Sequence, residues 1–212
     1  AMIEGNNLHR VVIYRDGAEK AKQLPPFSAQ DSLDPRELWK SLERYEEATG
    51  GEVMAIAHNG NISNAMTLRR DLVRRGSIFQ STSDTVVIIH LVATSGYRTL
   101  LDRLIDALKR VEGAYSLLCL TTEGMIACRD PLGIRPLVMG KLGEATIFAS
   151  ETVDLDVIGA TYLRDVEPGE LIIVNGQGVR SYRPFAPAKA RPCIFEHVYY
   201  SRPDSIVDGT SV

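Results

Sequence analysis

Residues 100–129 read LLDRLIDALKRVEGAYSLLCLTTEGMIACR, and within this stretch the spacing of the apolar residues changes. The first half repeats apolar residues at the three- and four-residue intervals of one helix face: Leu101, Leu104, Ile105 and Leu108. The second half contains two short apolar runs, 114–121 and 124–129, separated by Thr-Glu-Gly. Such runs are typical of antiparallel strands joined by a tight turn. The stretch therefore predicts a helix followed by a hairpin.

The sequence on either side of this stretch shows the same contrast between helical and strand patterns. The predicted helices on the N-terminal side run from Ser63 or Asn64 to Arg75, stopped by Gly76, and over 85–93, entered through STSD (81–84). The predicted strands on the C-terminal side are 134–140, 145–150 and a hairpin region over 163–183, with Glu-Pro-Gly and Asn-Gly-Gln-Gly as turns. Because helices and strands are grouped rather than alternating, we expect an α+β fold with helices packed on antiparallel sheet.

The first fifty residues have a different character. RVVIYR (10–15) predicts a short strand, and a polar, proline-containing linker follows it. Asp34 as N-cap, Pro35 at the first helical position and Glu37 then predict a helix that ends at Gly50-Gly51. We therefore expect an N-terminal segment over 1–50 and a domain over 51–212.

Composition narrows the class of protein. The chain has 212 residues, of which 44% are hydrophobic, enough for one large domain or two small ones. A net charge of -3 and a pI near 5.9 give no electrostatic reason to expect nucleic acid or a membrane surface as partner. No apolar run reaches the length of a transmembrane helix or signal-peptide core, so a cytoplasmic location is expected. The three cysteines form no CxxC pair, which argues against a disulfide framework.

The stretch AIAHNGNISNA (55–65) contains an Asn-Gly pair, Asn59-Gly60. This dipeptide is a strong signal for a hairpin turn, but residues with helical spacing follow it here instead of a second strand. We therefore predict a strand over 52–57 and a turn at Asn59-Gly60 that joins it to the helix. Such turns often direct backbone N–H groups at a ligand.

Several segments together resemble a known family. AIAHNGNISNA, STSDT, RDPLGIRPL, FASET, RDVEPGE and CIFEHVYYSRPDS occur in the same order, at similar spacing, in the glutaminase domain of the amidophosphoribosyltransferases. The resemblance covers about residues 51–212. The HNGN, RD..G.RPL and ASE segments are shared with other amidotransferases that have an N-terminal cysteine nucleophile, whereas the last segment is similar to this family in particular.

The resemblance implies a fold and a reaction. The fold is the four-layer αββα sandwich of N-terminal-nucleophile hydrolases, which here would be incomplete at its N-terminal strands, with residues 10–15 partly filling the gap. The family reaction opens de novo purine synthesis and converts glutamine, phosphoribosyl pyrophosphate and water to phosphoribosylamine, glutamate and pyrophosphate. Full-length members are expected to be homo-oligomers, and their phosphoribosyltransferase domain has no counterpart within the 212 residues.

The resemblance also assigns three residues to a glutamine site. Asn59, through its side-chain NH2, and Gly60, through its backbone N–H, would stabilise the oxyanion that forms when the amide is hydrolysed. Asp84 would bind the α-ammonium group of glutamine. Ser-Thr-Ser-Asp before an apolar run is also an ordinary N-cap, so a capping role for Asp84 stays open.

Other conspicuous polar residues are expected to be structural. Arg129-Asp130 and Ser150-Glu151 match family segments, but an Asp in DPLG is a common turn residue. His58 is expected to be a structural hydrogen-bonding group and His90 a core residue. The arginines between residues 69 and 75 flank Asp71 and are expected to form a solvated helix face.

The cysteines have two kinds of expected role. Cys193 matches a position that, in one branch of the family, is one of four ligands to a [4Fe-4S] cluster, but the other thiolates belong to the second domain. We therefore expect no cofactor in this chain, with magnesium and, in that branch, the cluster in full-length relatives. Cys119 and Cys128 lie in apolar runs and are expected to be small buried hydrophobic residues.

The catalytic nucleophile of the family is missing from the printed sequence. Family members begin with Cys-Gly-Ile and use the terminal thiol, with its own amine as base. The sequence before residue 51 contains no such motif and no HRGQ or GHVRYST segment. We therefore expect a fragment that does not turn over glutamine. The alternative is a non-catalytic, amino-acid-binding or interaction module derived from the glutaminase domain.

Overall fold

The computed structural model describes residues 12–15, 53–79 and 81–212. The predicted linker, the helix expected after Asp34 and the boundary expected near residue 50 lie outside these ranges. Within the described part, helices and antiparallel strands are segregated along the chain, which confirms the α+β class.

Three consecutive helices precede the run of strands that begins at Gly113, as predicted. They are α1 (Ala65–Arg74), α2 (Thr85–Ala93) and α3 (Leu100–Arg110). Leu68 and Leu72 form the buried side of α1, and Leu104 and Leu108 belong to the buried side of α3. The middle helix α2 is different, because seven of its nine residues are buried, so it lacks a polar face. None of the described helices is long and apolar enough to cross a bilayer.

The strands form two main sheets. The larger sheet has the order β1-β2-β3-β4-β8-β9 and the smaller one the order β6-β5-β7. The bounds are β1 (Val12–Arg15), β2 (Val53–Ile62), β3 (Gly113–Thr121), β4 (Gly124–Arg129), β5 (Val138–Leu142), β6 (Ala145–Ala149), β7 (Thr161–Asp165), β8 (Leu171–Asn175) and β9 (Gly178–Tyr182). The expected strand near residues 10–15 is therefore confirmed as β1, which pairs antiparallel with β2 from Val12↔Ile56 to Arg15↔Val53.

The predicted turn at Asn59-Gly60 is wrong. Strand β2 continues through both residues to Ile62, and the turn lies at residues 63–64. Gly60 has a φ of 153°, a value that L-residues with a side chain rarely adopt, so the glycine keeps the strand extended in an unusual backbone conformation. The Asn-Gly pair does indicate a position that requires glycine, but this position lies near the end of strand β2 and not in a turn.

The predicted hairpin across Glu-Pro-Gly is also wrong. The turn exists, but β7 pairs with β5 in the smaller sheet, whereas β8 pairs with β9 in the larger one. Residues 166–170 therefore carry the chain from one sheet to the other. The second predicted turn is confirmed, because Asn175↔Gly178 closes the β8–β9 hairpin.

Short elements that no sequence pattern indicated complete the chain. They are the helix α4 (Thr152–Val157), a π-helical turn over Glu196–Tyr200, and the two-stranded ribbon of β10 (Ile206–Val207) and β11 (Thr210–Ser211).

The chain divides into two compact units, and strands β2, β3 and β4 contribute residues to each. The first unit comprises 1–58, 64–111 and 118–125, and it contains helices α1 to α3 with their buried leucines. The second comprises 59–63, 112–117 and 126–212. Its smaller sheet packs on α4 through Val138, Leu155 and Ala160.

Candidate functional site

The two predicted oxyanion donors lie at the end of β2, in the second unit. The Asn59 side chain is half-buried, and its Nδ2 donates a hydrogen bond to Ser150 Oγ at 3.0 Å. Ser150 follows β6 directly, 91 positions further along the chain. Because Nδ2 has two N–H groups and Ser150 accepts one of them, the orientation of the second is defined by the first.

The backbone near Gly60 is closely packed. A Cβ at Gly113, which opens β3, would lie 2.8 Å from the backbone nitrogen of Ser63 and 3.2 Å from Cα of Ile62. The Ser63 N–H and its hydroxyl both donate to the Glu112 carbonyl, at 2.8 and 3.1 Å. The segment that follows the two donors is therefore fixed by main-chain contacts in which a side chain at position 113 has no room.

Asp84 lies in the first unit, at the start of α2. It is the N-cap residue, and its Oδ1 accepts a hydrogen bond from the Thr85 N–H at 2.8 Å. The buried His58 ring has Nδ1 3.2 Å from Thr85 Oγ1 and 3.7 Å from Asp84 Oδ1. His58 is thus the structural hydrogen-bonding group that was expected. Asp84 performs the capping role, and its side chain is still 27% exposed to solvent.

Arg69 fixes the loop that precedes Asp84, a role that sequence analysis missed. Its guanidinium donates to the carbonyls of Ser81 and Ser83 at 2.8 and 2.9 Å and lies 4.2 Å from the Phe79 ring centroid. The other arginines of α1 and its end are exposed, as predicted. His90 is half-buried and stacks on Phe79 rather than lying in the core. Burial, and then the charge of Arg69, lower the pKa of His90.

Arg129 and Asp130 are structural, as predicted, and both are buried in the second unit. Arg129 donates to the carbonyls of Gly133, Arg135 and Val166 at 3.1, 2.7 and 2.9 Å. Asp130 accepts hydrogen bonds from backbone N–H groups, including that of Leu132 at 2.9 Å. Burial raises the pKa of the Asp130 carboxyl, and those hydrogen bonds oppose the rise.

The last segment of the chain contacts two other family motifs within the second unit. Glu151 Oε2 accepts from the Arg202 N–H at 2.8 Å and from Ser205 Oγ at 2.7 Å. Arg135 forms an ion pair with the buried Glu196 at 2.5 Å, and its guanidinium lies 4.5 Å from the Tyr200 ring centroid. RDPLGIRPL, FASET and CIFEHVYYSRPDS, recognised separately in the sequence, therefore form one set of contacts.

The cysteines do not assemble a metal or cluster site in the part of the chain that the structure describes. Cys119 and Cys128 are buried and Cys193 is half-buried, and no group of three or more potential metal-ligating side chains occurs in those residues. Burial raises the pKa of Cys119 to about 12. Cys193 alone does not fit a [4Fe-4S] cluster, which needs four thiolates.

Comparison with known proteins agrees with the motifs. A family model described as a glutamine amidotransferase domain matches residues 46–156, just over half of the chain, and one described as a protein of unknown function (DUF3604) matches residues 1–84. The amidophosphoribosyltransferase of Rhizobium etli is 51% identical over 164 residues, covering 75% of this chain and 33% of that protein. The chloroplastic amidophosphoribosyltransferase of Glycine max is 48% identical over 199 residues, covering 91% of this chain and 35% of that protein.

Solved structures give the same result. The glutamine phosphoribosylpyrophosphate amidotransferase of Bacillus subtilis, solved with ADP and GMP, superimposes with a TM-score of 0.73 at 47% identity, over 75% of this chain and 35% of that one. The chain thus spans about a third of the length of the relatives it matches. The resemblance drawn from the motifs and the fold expected from it are confirmed. The chain belongs to the glutamine amidotransferase domain family, and its relatives at 48–51% identity are amidophosphoribosyltransferases.

Proposed function

We propose that this chain contributes the oxyanion-binding and glutamine-binding residues of an amidophosphoribosyltransferase. The observation that supports this most directly is the hydrogen bond of 3.0 Å between Asn59 Nδ2 and Ser150 Oγ. It gives a half-buried amide donor a defined orientation at the end of β2, next to the backbone N–H of Gly60. The family membership of the surrounding sequence supports the same role.

The chemistry of amide hydrolysis explains why two donors are needed. Attack on the side-chain carbonyl of glutamine gives a tetrahedral intermediate with a full negative charge on oxygen. Donors that are already oriented stabilise this charge without reorganisation, and removal of one costs about 3–4 kcal/mol of barrier stabilisation. The Asn59 amide and the unshielded Gly60 N–H are groups of this kind.

Asp84 is proposed to bind the α-ammonium group of the substrate. Its carboxylate uses Oδ1 to cap α2, and a carboxylate has about four acceptor directions, so capping and binding of a cation are compatible. Its 27% exposure leaves the group accessible to a ligand from solvent. In this proposal the α2 cap fixes the carboxylate, and Arg69 fixes the loop that leads to it.

We further propose that the 212-residue chain does not hydrolyse glutamine by itself. The thiolate, not the thiol, is the nucleophile. Cys119 and Cys128 are buried, and the high pKa of Cys119 keeps it protonated at neutral pH. Cys193 lies in sequence between β9 and the π-helical turn, and all three cysteines are internal residues without the terminal amine that the family mechanism requires.

The complete reaction extends beyond these residues. Transfer of ammonia to phosphoribosyl pyrophosphate, the magnesium requirement and homo-oligomer formation are proposed for the longer protein, since the chain spans about a third of its relatives. A second candidate function is a non-catalytic module that binds glutamine or another amino acid. It is favoured by the combination of an oriented Asn59 with the burial of the Cys119 and Cys128 thiols.

Two measurements on the 212-residue chain test these proposals. The first is an NMR titration with L-glutamine, in which the side-chain amide of Asn59 and the backbone amides near Asp84 should shift. Asp84→Asn should weaken the response, while the exposed Asn61→Ala should not. Absence of any shift near the solubility limit of glutamine would contradict the proposed site.

The second measurement is glutamate release from L-glutamine. We expect none above the uncatalysed background. Release that disappears in Asn59→Ala but persists in Asn61→Ala would overturn the proposed inactivity and the non-catalytic module together.

A further inference from the structure

Ser150 and Glu151 are consecutive residues with different partners. Ser150 Oγ accepts from Asn59 Nδ2 at 3.0 Å, whereas Glu151 Oε2 accepts from the Arg202 N–H and from Ser205 Oγ at 2.8 and 2.7 Å. The backbone of Glu151 is extended, with φ -131° and ψ 153°. Successive side chains of an extended chain point to opposite sides, so one short segment contacts the oxyanion donor on one side and residues 202–206 on the other.

The position of Glu151 makes this use of its carboxylate informative. It is the N-cap residue of α4, yet its side chain makes no capping hydrogen bond. Its backbone N–H donates a hydrogen bond to Asp154 in the first turn of the helix. This is one of the two hydrogen bonds of a capping box, and it does not use the side chain of the N-cap residue. Thr152 Oγ1 also accepts from the Ile206 N–H, at 2.9 Å. Residues 151–152 therefore bind the 202–206 segment through three hydrogen bonds.

The chain from Arg202 to Val212 has further contacts, both within itself and to the rest of the second unit. Ser205 is 1% exposed, and its backbone N–H and carbonyl bond to Arg202 and Val212. Asp208 pairs with the buried Arg129. The contacts of Glu151 are consequently part of a partly buried network and not an isolated surface hydrogen bond.

We infer that Ser150 is a positioning residue for Asn59 and that Glu151 couples the orientation of the Asn59 amide to the docking of residues 202–206. This rests on the proposed role of Asn59 as an oxyanion donor. The terminal torsion of an asparagine side chain is broad and has no single preferred value. The Ser150 hydroxyl selects one orientation, and its own position is set by the extended segment that Glu151 and Thr152 attach to residues 202–206.

The test uses side-chain amide resonances of Asn59 in the 212-residue chain, without glutamine. Ser150→Ala should raise the solvent-exchange rate of the Asn59 NH2 group roughly fivefold, the population change that one neutral hydrogen bond supports. Ser150→Thr, which keeps the hydroxyl, should restore the slow exchange. If Ser150 only stabilised the fold, its substitution would lower the unfolding temperature while the Asn59 exchange rate stayed the same, and this result would overturn the inference.

Two further variants test the coupling between Glu151 and the Asn59 amide. Glu151→Ala should shift the Asn59 side-chain resonances and raise their exchange rate, although the structure shows no Glu151–Asn59 hydrogen bond. Glu144→Ala is the matched control, since this exposed glutamate lies in the turn before β6 and has no part in the network. Equal Asn59 spectra for the two variants would overturn the coupling. Because glutamine is absent from these measurements, their outcome is independent of the titration that tests the proposed function.

Discussion

The guanidinium of Arg129 makes two parallel hydrogen bonds to the carboxylate of Asp208, at 2.9 and 3.0 Å. Arg129 is 2% exposed and ends strand β4, whereas Asp208 lies in the turn of the last ribbon. The pair therefore fastens the end of the chain to the larger sheet. Bidentate pairs of this kind are stronger than neutral hydrogen bonds, and a buried arginine without its carboxylate is costly.

Asp208→Asn should lower the free energy of unfolding by about 1 kcal/mol, because it removes the charge of a carboxylate that is 37% exposed and screened by solvent, while the carbonyl partners of the buried Arg129 remain. Asparagine tolerates the positive φ of 47° at this position, so backbone strain does not confound the result. Urea denaturation measures the change. Asp204→Asn is the control: its pair with Arg202 is exposed, and its loss should have little effect.

Glu170 should make stability depend on pH in the acid range. Burial alone would raise the pKa of its carboxyl group, but hydrogen bonds from Arg164, Ser181 and the Glu167 N–H, with the charge of Arg164, lower it to about 2. Because the folded-state pKa is below the ordinary value of 4.5, the stabilisation is complete above pH 4.5 and is lost as the pH falls towards 2.

The measurement is the difference in unfolding free energy between the parent and Glu170→Gln as a function of pH. It should shrink by up to about 3 kcal/mol between about pH 6 and pH 2. Ser181→Ala removes a single hydrogen bond of 2.6 Å and should give a smaller change of the same sign. A difference that stays constant across this range would contradict the assignment.

Gly140 in β5 should not accept a side chain. A Cβ there would lie 2.8 and 2.9 Å from the two methyl carbons of Leu155 and 2.9 Å from the Thr161 carbonyl oxygen. Gly140→Ala should destabilise the protein by about 1–3 kcal/mol through overpacking. Gly96→Ala, where a Cβ meets nothing within 4 Å, is the matched control in thermal unfolding. Similar unfolding temperatures for the two variants would show that the smaller sheet can move away from α4.

Thr99 should contribute measurably to helix α3. Its hydroxyl oxygen accepts from the Asp102 N–H at 3.1 Å, and its O–H donates to the Asp102 carboxylate at 2.7 Å. Thr99→Ala should cost about 1 kcal/mol of stability in urea denaturation, the usual effect of losing an N-cap. Thr67→Ala, at an exposed position inside α1, should instead be neutral or slightly stabilising, since alanine is the better helix former.

The sequence predicted most elements because their signals are local. Apolar spacing located α1 and α3, the STSD cap before an apolar run located α2, and turn residues located the β3–β4 and β8–β9 hairpins. The sequence predicted the Glu-Pro-Gly turn before β8 but not the pairing of the strands on either side of it. A Glu-Pro-Gly turn has the same local sequence whether it joins two strands of one sheet or leads from one sheet to another. Gly60 was misread for a similar reason: positive φ is needed in a turn and also, here, inside a strand.

The residues of the candidate site likewise divide into those that have a local sequence signal and those that do not. Motifs predicted Asn59, Gly60 and Asp84, and turn chemistry predicted the structural role of Asp130. The partner of Asn59 could not be predicted, because Ser150 is 91 positions away and its only local signal is membership of the FASET motif. The network of Glu151 with residues 202–206 is equally remote in sequence, and only the fold brings its members together.

Among the residues that the structure describes, strand β1 pairs with β2 and stands at one end of the strand order of the larger sheet. Strand pairing relies on backbone N–H and C=O groups, which every residue except proline can supply. The identity of residues 12–15 is consequently weakly constrained by this pairing, and an unrelated extended peptide could replace them at the same edge. We therefore expect that a tethered or added peptide in extended conformation can pair at this edge, where it would label the sheet without altering the residues proposed to bind glutamine.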